Sequence, residues 1–287
     1  MEVVSDLAGW RERCDDARHR ELCVGLVPTM GALHAGHRSL MAAARAQCDV
    51  VVVSIFVNPL QFTDARDLEN YPQTLEADLA LCEAAGVDVV VTPRREEMWP
   101  VGHATLTLDG ELTRMLEGRD RPGHFDGVAT VVDKLFDLTG PCCAFFGEKD
   151  FQQLAVVRQL IAAHELPVTL VGCPIVRESD GLALSSRNVR LSAEGRRKAL
   201  SLSVALRLAA STTFDTVGEL RHALAEVMSS AGVVVHYVSV VDEESWSEVP
   251  DFAVPFGRVL IAGTVDGVRV IDNGPLGMKG RTSAARN

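Results

Sequence analysis

Two histidines bracket a glycine in the run Thr29-Met30-Gly31-Ala32-Leu33-His34-Ala35-Gly36-His37. An apolar run, Cys23 to Val27, precedes it, and an Ala-rich run, Arg38 to Gln47, follows it. That order reads as strand, glycine-bearing loop, helix. Such a loop offers backbone N–H groups and a helix N-terminus to an anion. Gly31 and Gly36 let the backbone come close to a ligand. Both imidazoles can face what the loop holds, donate to phosphate oxygens, and carry positive charge near neutral pH. The spacing Gly31-x4-Gly36 imitates a P-loop, but His37 stands where that loop needs Lys, which disfavours a Walker-type enzyme. A His-x-x-His pair also suits a metal, yet no HExxH surrounds it and no third ligand is near in sequence. The plain alternative is a pair of surface loop histidines.

Four further clusters carry polar chemistry. In Asn58-Pro59-Leu60-Gln61-Phe62, Gln61 can donate to and accept from a hydroxyl-bearing substrate. An ordinary strand-end turn is the alternative. In Arg119-Asp120-Arg121-Pro122-Gly123-His124-Phe125, two arginines ahead of a helix suit a carboxylate or phosphate, or else form a solvated loop. In Phe146-Gly147-Glu148-Lys149-Asp150-Phe151-Gln152-Gln153, Lys149 falls between a strand and a helix, where an ammonium can neutralise phosphate. As a mere surface pair with Asp150 it would contribute little. In the run Arg177 to Asn188, Ser185, Ser186 and Arg187 make a mobile loop able to wrap a triphosphate. Asp78 reads as a solvent-facing helix carboxylate, and Tyr71-Pro72 as a loop anchor.

The elements that must position these groups follow from periodicity. Strands are expected at Cys23–Pro28, Asp49–Val57, Val87–Val91, Cys142–Phe146 and Val168–Cys173. Helices are expected within Val4–Arg20 and at Arg38–Gln47, Leu75–Ala85, Val128–Leu138 and Phe151–His164. The β-branched run Val50–Val53 suits a parallel strand covered on both faces. Strand–helix alternation predicts an α/β fold, a Rossmann-like doubly wound parallel sheet over residues 1–175. The pattern changes near Pro174. Helices at Ser192–Ala209 and Val217–Ser230, and strands at Val233–Val241, Arg258–Thr264 and Val268–Ile271, predict a smaller α+β domain over 176–287. Asp266-Gly267 is a hairpin signal. Residues 94–117 give no clear pattern, and the tail from Met278 to Asn287 reads as disordered.

Composition bounds the function. The chain has 287 residues, 47% hydrophobic and 23% charged, and a net charge of −11, which argues against general nucleic-acid or membrane-surface binding. No apolar run is long enough to span a bilayer and no signal peptide is visible, so a cytoplasmic location is expected. Seven cysteines with no CxxC pair read as buried, reduced thiols rather than a zinc site or a disulfide framework.

His-x-Gly-His resembles the signature of nucleotidyl-transferring Rossmann-like enzymes. The ordered set PTMGALHAGH (28–37), FVNPLQF (56–62), NYP (70–72), RPGHFDGVATVV (121–132), FGEKDFQQL (146–154) and RESDGLALSSRN (177–188) resembles the pantothenate synthetase (pantoate–β-alanine ligase) family. The resemblance implies ATP-dependent ligation of D-pantoate and β-alanine through a pantoyl adenylate, with Mg2+, in a homodimer. It implies that His34, His37, Lys149, Ser185 and Arg187 serve the chemistry. Met30, Gly147, Asp150, Val176, Leu184 and Ser186 would join them around ATP. Gln61, Gln153, Asn58, Arg121 and Tyr71 would hold pantoate or β-alanine, and Asp78 would lie near Mg2+. The rivals are another HxGH nucleotidyltransferase with a different acceptor and a non-catalytic ATP-binding module.

Overall fold

A parallel sheet forms only where each crossover helix has an apolar stripe to lay on it. Leu40, Met41 and Ala44 of one such helix are all buried. The computed structural model describes residues 1–250 and 257–276 and divides into two units, Met1–Val176 and Arg177–Asn287. The first holds strands β1 (Glu2–Val4), β2 (Val24–Thr29), β3 (Val50–Ile55), β4 (Val89–Val91), β5 (Cys142–Gly147) and β6 (Val168–Cys173). All pair in parallel, in the order β1-β4-β3-β2-β5-β6. The helices are α1 (Leu7–His19), α2 (Ala35–Gln47), α3 (Ala65–Glu69), α4 (Leu75–Ala84), α5 (Arg95–Met98), α6 (Glu117–Asp120), α7 (His124–Thr139) and α8 (Phe151–Ala163). Val51, Val52 and Val53 are at most 1% exposed, as a strand covered on both faces requires.

The chain lays down β2, β3 and β4 toward one edge, then returns to set β5 and β6 on the other side of β2. The reversal lies between β2 and β5. Open α/β sheets bind ligands outside the carboxyl ends of strands at such a point. The loop after β2 carries His34 and His37, and the turn after β5 carries Lys149.

Three differences from the sequence expectation have local causes. Strand β1 is three residues long with two of them exposed, too short to show a period. Helix α2 starts at Ala35 rather than Arg38, because His34 is its N-cap. Helix α7 starts at His124 rather than Val128, because Gly123 turns into it with φ +84°.

The second unit packs α9 (Ala193–Ser211) and α10 (Val217–Ser230) on an antiparallel sheet of β7 (Val234–Asp242), β8 (Gly257–Val265) and β9 (Val268–Pro275). Its core joins Leu202, Leu220, Leu224 and Met228 from the helices to Val240, Val259 and Ile261 from the sheet. Asp266 and Gly267 have φ +50° and +77° between the paired Val265 and Val268. Two consecutive left-handed residues are what a type I′ hairpin demands. The chain is therefore an α/β protein with a Rossmann-like sheet and a smaller α+β unit. The tail from Met278 to Asn287 lies outside the described residues.

Candidate active site

The His loop is built from its backbone. Gly31 and Ala32 both adopt positive φ, +79° and +49°. This turns the N–H groups of Ala32 and Leu33 onto one carboxylate. Asp78 Oδ2 accepts from Ala32 N at 2.9 Å, and Oδ1 accepts from Leu33 N at 2.7 Å and from Thr74 Oγ1 at 3.1 Å. Asp78 is 2% exposed. It braces the loop, which corrects its reading as a solvent-facing helix residue. The N–H groups of Ala32 and Leu33 thus hold a carboxylate of the protein itself, in keeping with the sequence argument against a P-loop. A Cβ at position 31 would lie 3.1 Å from Asp78 Oδ2 and 3.2 Å from Ile55, so this glycine is required by space as well as by φ.

The two histidines cap helix α2 reciprocally. His34 Nδ1 accepts from Gly36 N at 3.1 Å, and His37 Nδ1 accepts from His34 N at 3.2 Å. A ring nitrogen that accepts cannot carry a proton, so each neutral ring is protonated at Nε2. The ring centroids are 4.1 Å apart. Burial, with neighbouring His34 adding to it, pushes His37 down to about 3. His37 is thus a neutral donor at physiological pH in the ligand-free protein, where the sequence suggested positive charge.

A second network surrounds Gln61, in the short 3-10 turn Pro59–Gln61 after β3. Gln61 Nε2 donates to Met30 Sδ at 3.2 Å, and its Oε1 accepts from Asn58 Nδ2 at 3.1 Å. Asn58 Nδ2 also donates to Gly127 O at 3.0 Å, and Asn58 is 1% exposed. Both amide protons of Asn58 are therefore engaged, and it holds Gln61 from beneath. The Gln61 carbonyl accepts from Arg121 Nη2 at 3.2 Å and from His124 Nδ1 at 2.8 Å. His124 Nε2 in turn faces Arg121 Nη1 at 3.1 Å. Guanidinium only donates, so His124 is the neutral Nδ1–H tautomer. Burial first, then the Arg121 charge, pushes it down to about 4. Arg121 also lies 3.5 Å from Glu117 Oε2. The structure thus uses Arg121 to fix the Gln61 backbone. Tyr71 is buried, edge-on to Phe62 at 5.7 Å.

Beyond β5, Gly147 leads into the turn Glu148–Asp150 and helix α8. Lys149 is half-buried and Asp150 exposed. The Gln152-Gln153 pair divides its work. Gln152, which sequence reasoning passes over, is buried and donates to Leu112 O at 2.7 Å and Met115 O at 2.9 Å, while accepting from Glu117 N at 3.1 Å. It pins the stretch in which the sequence shows no pattern. Gln153 is half-buried and has no such tie among the described residues. His124 and Gln152 leave one trace in sequence, polar residues at the start of otherwise apolar helices.

In the second unit the loop after Val176 is tied to its own unit by ion pairs. Arg177 binds Asp272 through two bonds, at 2.6 and 2.9 Å. Arg196 of α9 binds Glu178 at 2.9 and 3.0 Å and Asp180 at 2.6 and 3.0 Å. Asn188 Nδ2 donates to Ala183 O at 3.0 Å. Ser185 caps the turn Ser186–Arg190, accepting from Arg187 N at 3.3 Å. Leu184, Ser185, Ser186 and Arg187 are all half-buried.

Comparison with known proteins gives a consistent outcome. The family model described as pantoate-beta-alanine ligase matches residues 2–275. A pantothenate synthetase of Cereibacter sphaeroides is 49% identical over 283 residues, 96% of this chain and 99% of that one. Among solved structures, pantothenate synthetase from Thermus thermophilus is 44% identical with a TM-score of 0.88, covering 96% of this chain and 99% of that one. A pantoate-beta-alanine ligase of Francisella tularensis, solved with beta-gamma ATP and beta-alanine, is 33% identical with a TM-score of 0.82. It covers 96% of this chain and 97% of its own.

Proposed function

This chain belongs to the pantoate-beta-alanine ligase family, and we propose that it joins D-pantoate to β-alanine using ATP. The match of residues 2–275 to that family carries the proposal. In the first step a pantoate carboxylate oxygen attacks the α-phosphorus of ATP. The bond to the bridging oxygen breaks, pyrophosphate leaves, and pantoyl adenylate remains. In the second step the β-alanine amine attacks the acyl carbon, AMP leaves, and the amine gives up a proton. A mixed anhydride is already activated, so no protein nucleophile is needed. The protein's task is positioning and charge stabilisation.

The roles are those that resemblance to the family implies. His34 and His37 donate through Nε2 to phosphate oxygens, a reading supported by their engaged Nδ1 atoms. Met30 lines the reacting centre. Lys149 neutralises phosphate, with Ser185, Ser186 and Arg187 as further donors. Gly147, Asp150, Val176 and Leu184 hold the nucleoside part. Gln61 and Gln153 hold pantoate. Asn58, Arg121 and Tyr71 act through the Gln61 turn and its cover.

Mg2+ travels with ATP phosphates. Asp78 Oδ1 accepts two protein hydrogen bonds and Oδ2 one, so the carboxylate would reach such an ion only through the remaining Oδ2 lone pair. Among the described residues, the only group of three His, Cys, Asp or Glu close enough to hold an ion is made of cysteines.

We include in the proposal a homodimer and a cytoplasmic setting. The seven free cysteines support a reducing compartment. No helix among the described residues is long and apolar enough to cross a membrane. Sedimentation equilibrium tests the dimer, expected at twice 31.0 kDa.

The deciding experiment is pyrophosphate release from ATP and Mg2+, with D-pantoate and β-alanine each present or omitted. Multiple turnovers that need both substrates and yield AMP support the ligase. Absence of pantoate-dependent release points to a nucleotidyltransferase with another acceptor, and release that no other carboxylate or phosphate acceptor restores points to an ATP-binding module.

A further inference from the structure

The end of the parallel sheet opposite the His loop, where β2 and β5 begin, carries a feature that the ligase chemistry does not use. Cys23 directly precedes β2, Cys143 lies at the start of β5, and Cys48 caps the C-terminus of α2. Their Sγ atoms all lie within 4.8 Å of one another, with Cys23 and Cys48 at 3.4 Å. In the sequence these residues read as separate buried thiols. The fold gathers them because β5 pairs with β2, placing Cys143 opposite Gly25. A Cβ on Gly25 would sit 3.0 Å from Cys48 Sγ, so the glycine leaves room for the cluster.

We propose that Cys23, Cys48 and Cys143 form a three-thiolate site for a divalent d10 metal ion of the zinc class. Zinc–sulfur bonds of about 2.3 Å in tetrahedral geometry put ligand sulfurs about 3.8 Å apart. The observed spacing brackets that value, so small side-chain adjustments suffice. Charge selects the ion. Cys48 is buried in a core cluster with Met41, Ala44 and Val51. Three thiolates around a divalent ion leave one net negative charge there, and around a monovalent ion they leave two. An apolar setting favours the smaller charge. Cys23 and Cys143 are only half-buried and give the ion an entry path. Solvent supplies the fourth ligand, since no other His, Cys or carboxylate among the described residues joins the group. On binding, three S–H bonds lose their protons to solvent and three metal–sulfur bonds form, with no change of oxidation state.

The test uses the reduced full-length chain and Cd2+, whose thiolate complexes absorb in the ultraviolet. One equivalent of Cd2+ is expected to produce the sulfur-to-cadmium band, and Zn2+ is expected to abolish it by competition. Cys23→Ser and Cys143→Ser, at half-buried positions that tolerate the change, are expected to lose the band while keeping pantoate-dependent AMP formation. Cys82→Ser is expected to retain the band. The proposal is overturned if no stoichiometric band appears, or if the band survives in both variants. It is also overturned if only Cu+ binds, or if the fresh protein instead holds a Cys23–Cys48 disulfide.

Discussion

Asp78→Asn separates two accounts of this carboxylate. Asparagine keeps the shape but replaces one oxygen with an NH2 group. That group must then face an N–H now satisfied by Oδ2 (Ala32) or by Oδ1 (Leu33). One charge-assisted bond is lost, worth about 1.5–3 kcal/mol, and one buried N–H goes unsatisfied, costing about 1–3 kcal/mol. The two overlap in part, so the expected net loss is about 3 kcal/mol. Asp78 also sits in the first turn of α4, where a negative charge adds about 0.5 kcal/mol. Urea unfolding of the ligand-free protein, without magnesium, measures the difference. A carboxylate kept only to hold a cation predicts the reverse, because removing an uncompensated buried charge relieves the apo state. Stability within about 0.5 kcal/mol of wild type would refute the brace, since ordinary surface substitutions stay inside that range.

Other consequences are as direct. His124 falls from the ordinary 6.5 to about 4, which corresponds to about 3 kcal/mol. The unfolded chain binds the proton more readily, so this stability is present above pH 6.5 and drains away as pH falls toward 4. The stability gap between wild type and His124→Gln should shrink by that amount over the window, and a pH-independent gap would refute it. His37→Ala or Lys149→Ala should slow pantoate-dependent pyrophosphate release by a barrier increase of about 3 kcal/mol, with circular dichroism unchanged. In Gly127→Ala, the new Cβ would overlap the Leu60 carbonyl and lie 2.6 Å from Gln61 N. A raised KM for pantoate is expected, with a lowered melting temperature. Arg196→Ala cuts the ties to Glu178 and Asp180. It should raise the KM for ATP more than it lowers kcat for pantothenate formation.

Much of this is legible in the chain because periodicity and turn chemistry are local. The run Val50–Val53, the cap Ser192 and the hairpin Asp266-Gly267 each report their own structure. Long-range polar contacts leave no local trace. Asp78 looks like any helix carboxylate until the fold brings it to residues 46 and 45 positions earlier in the chain. The same holds for Gln152, whose partners lie 35 to 40 residues away. Stretch 94–117 is unreadable because side chains from elsewhere fix it, not its own period. The anchoring of loop 177–188 likewise depends on Arg196 and Asp272, outside the motif.

The reciprocal cap at the start of α2 sets fold and reactivity against each other at one position. Asn, Asp and Ser satisfy a helix N-terminus better than most residues do. A histidine at position 34 therefore occupies a place where stabilising substitutions are easy to supply. Each of them would strengthen the helix and remove an imidazole donor. Screening this chain for thermal tolerance would enrich such replacements, and the hardier protein would be the poorer ligase.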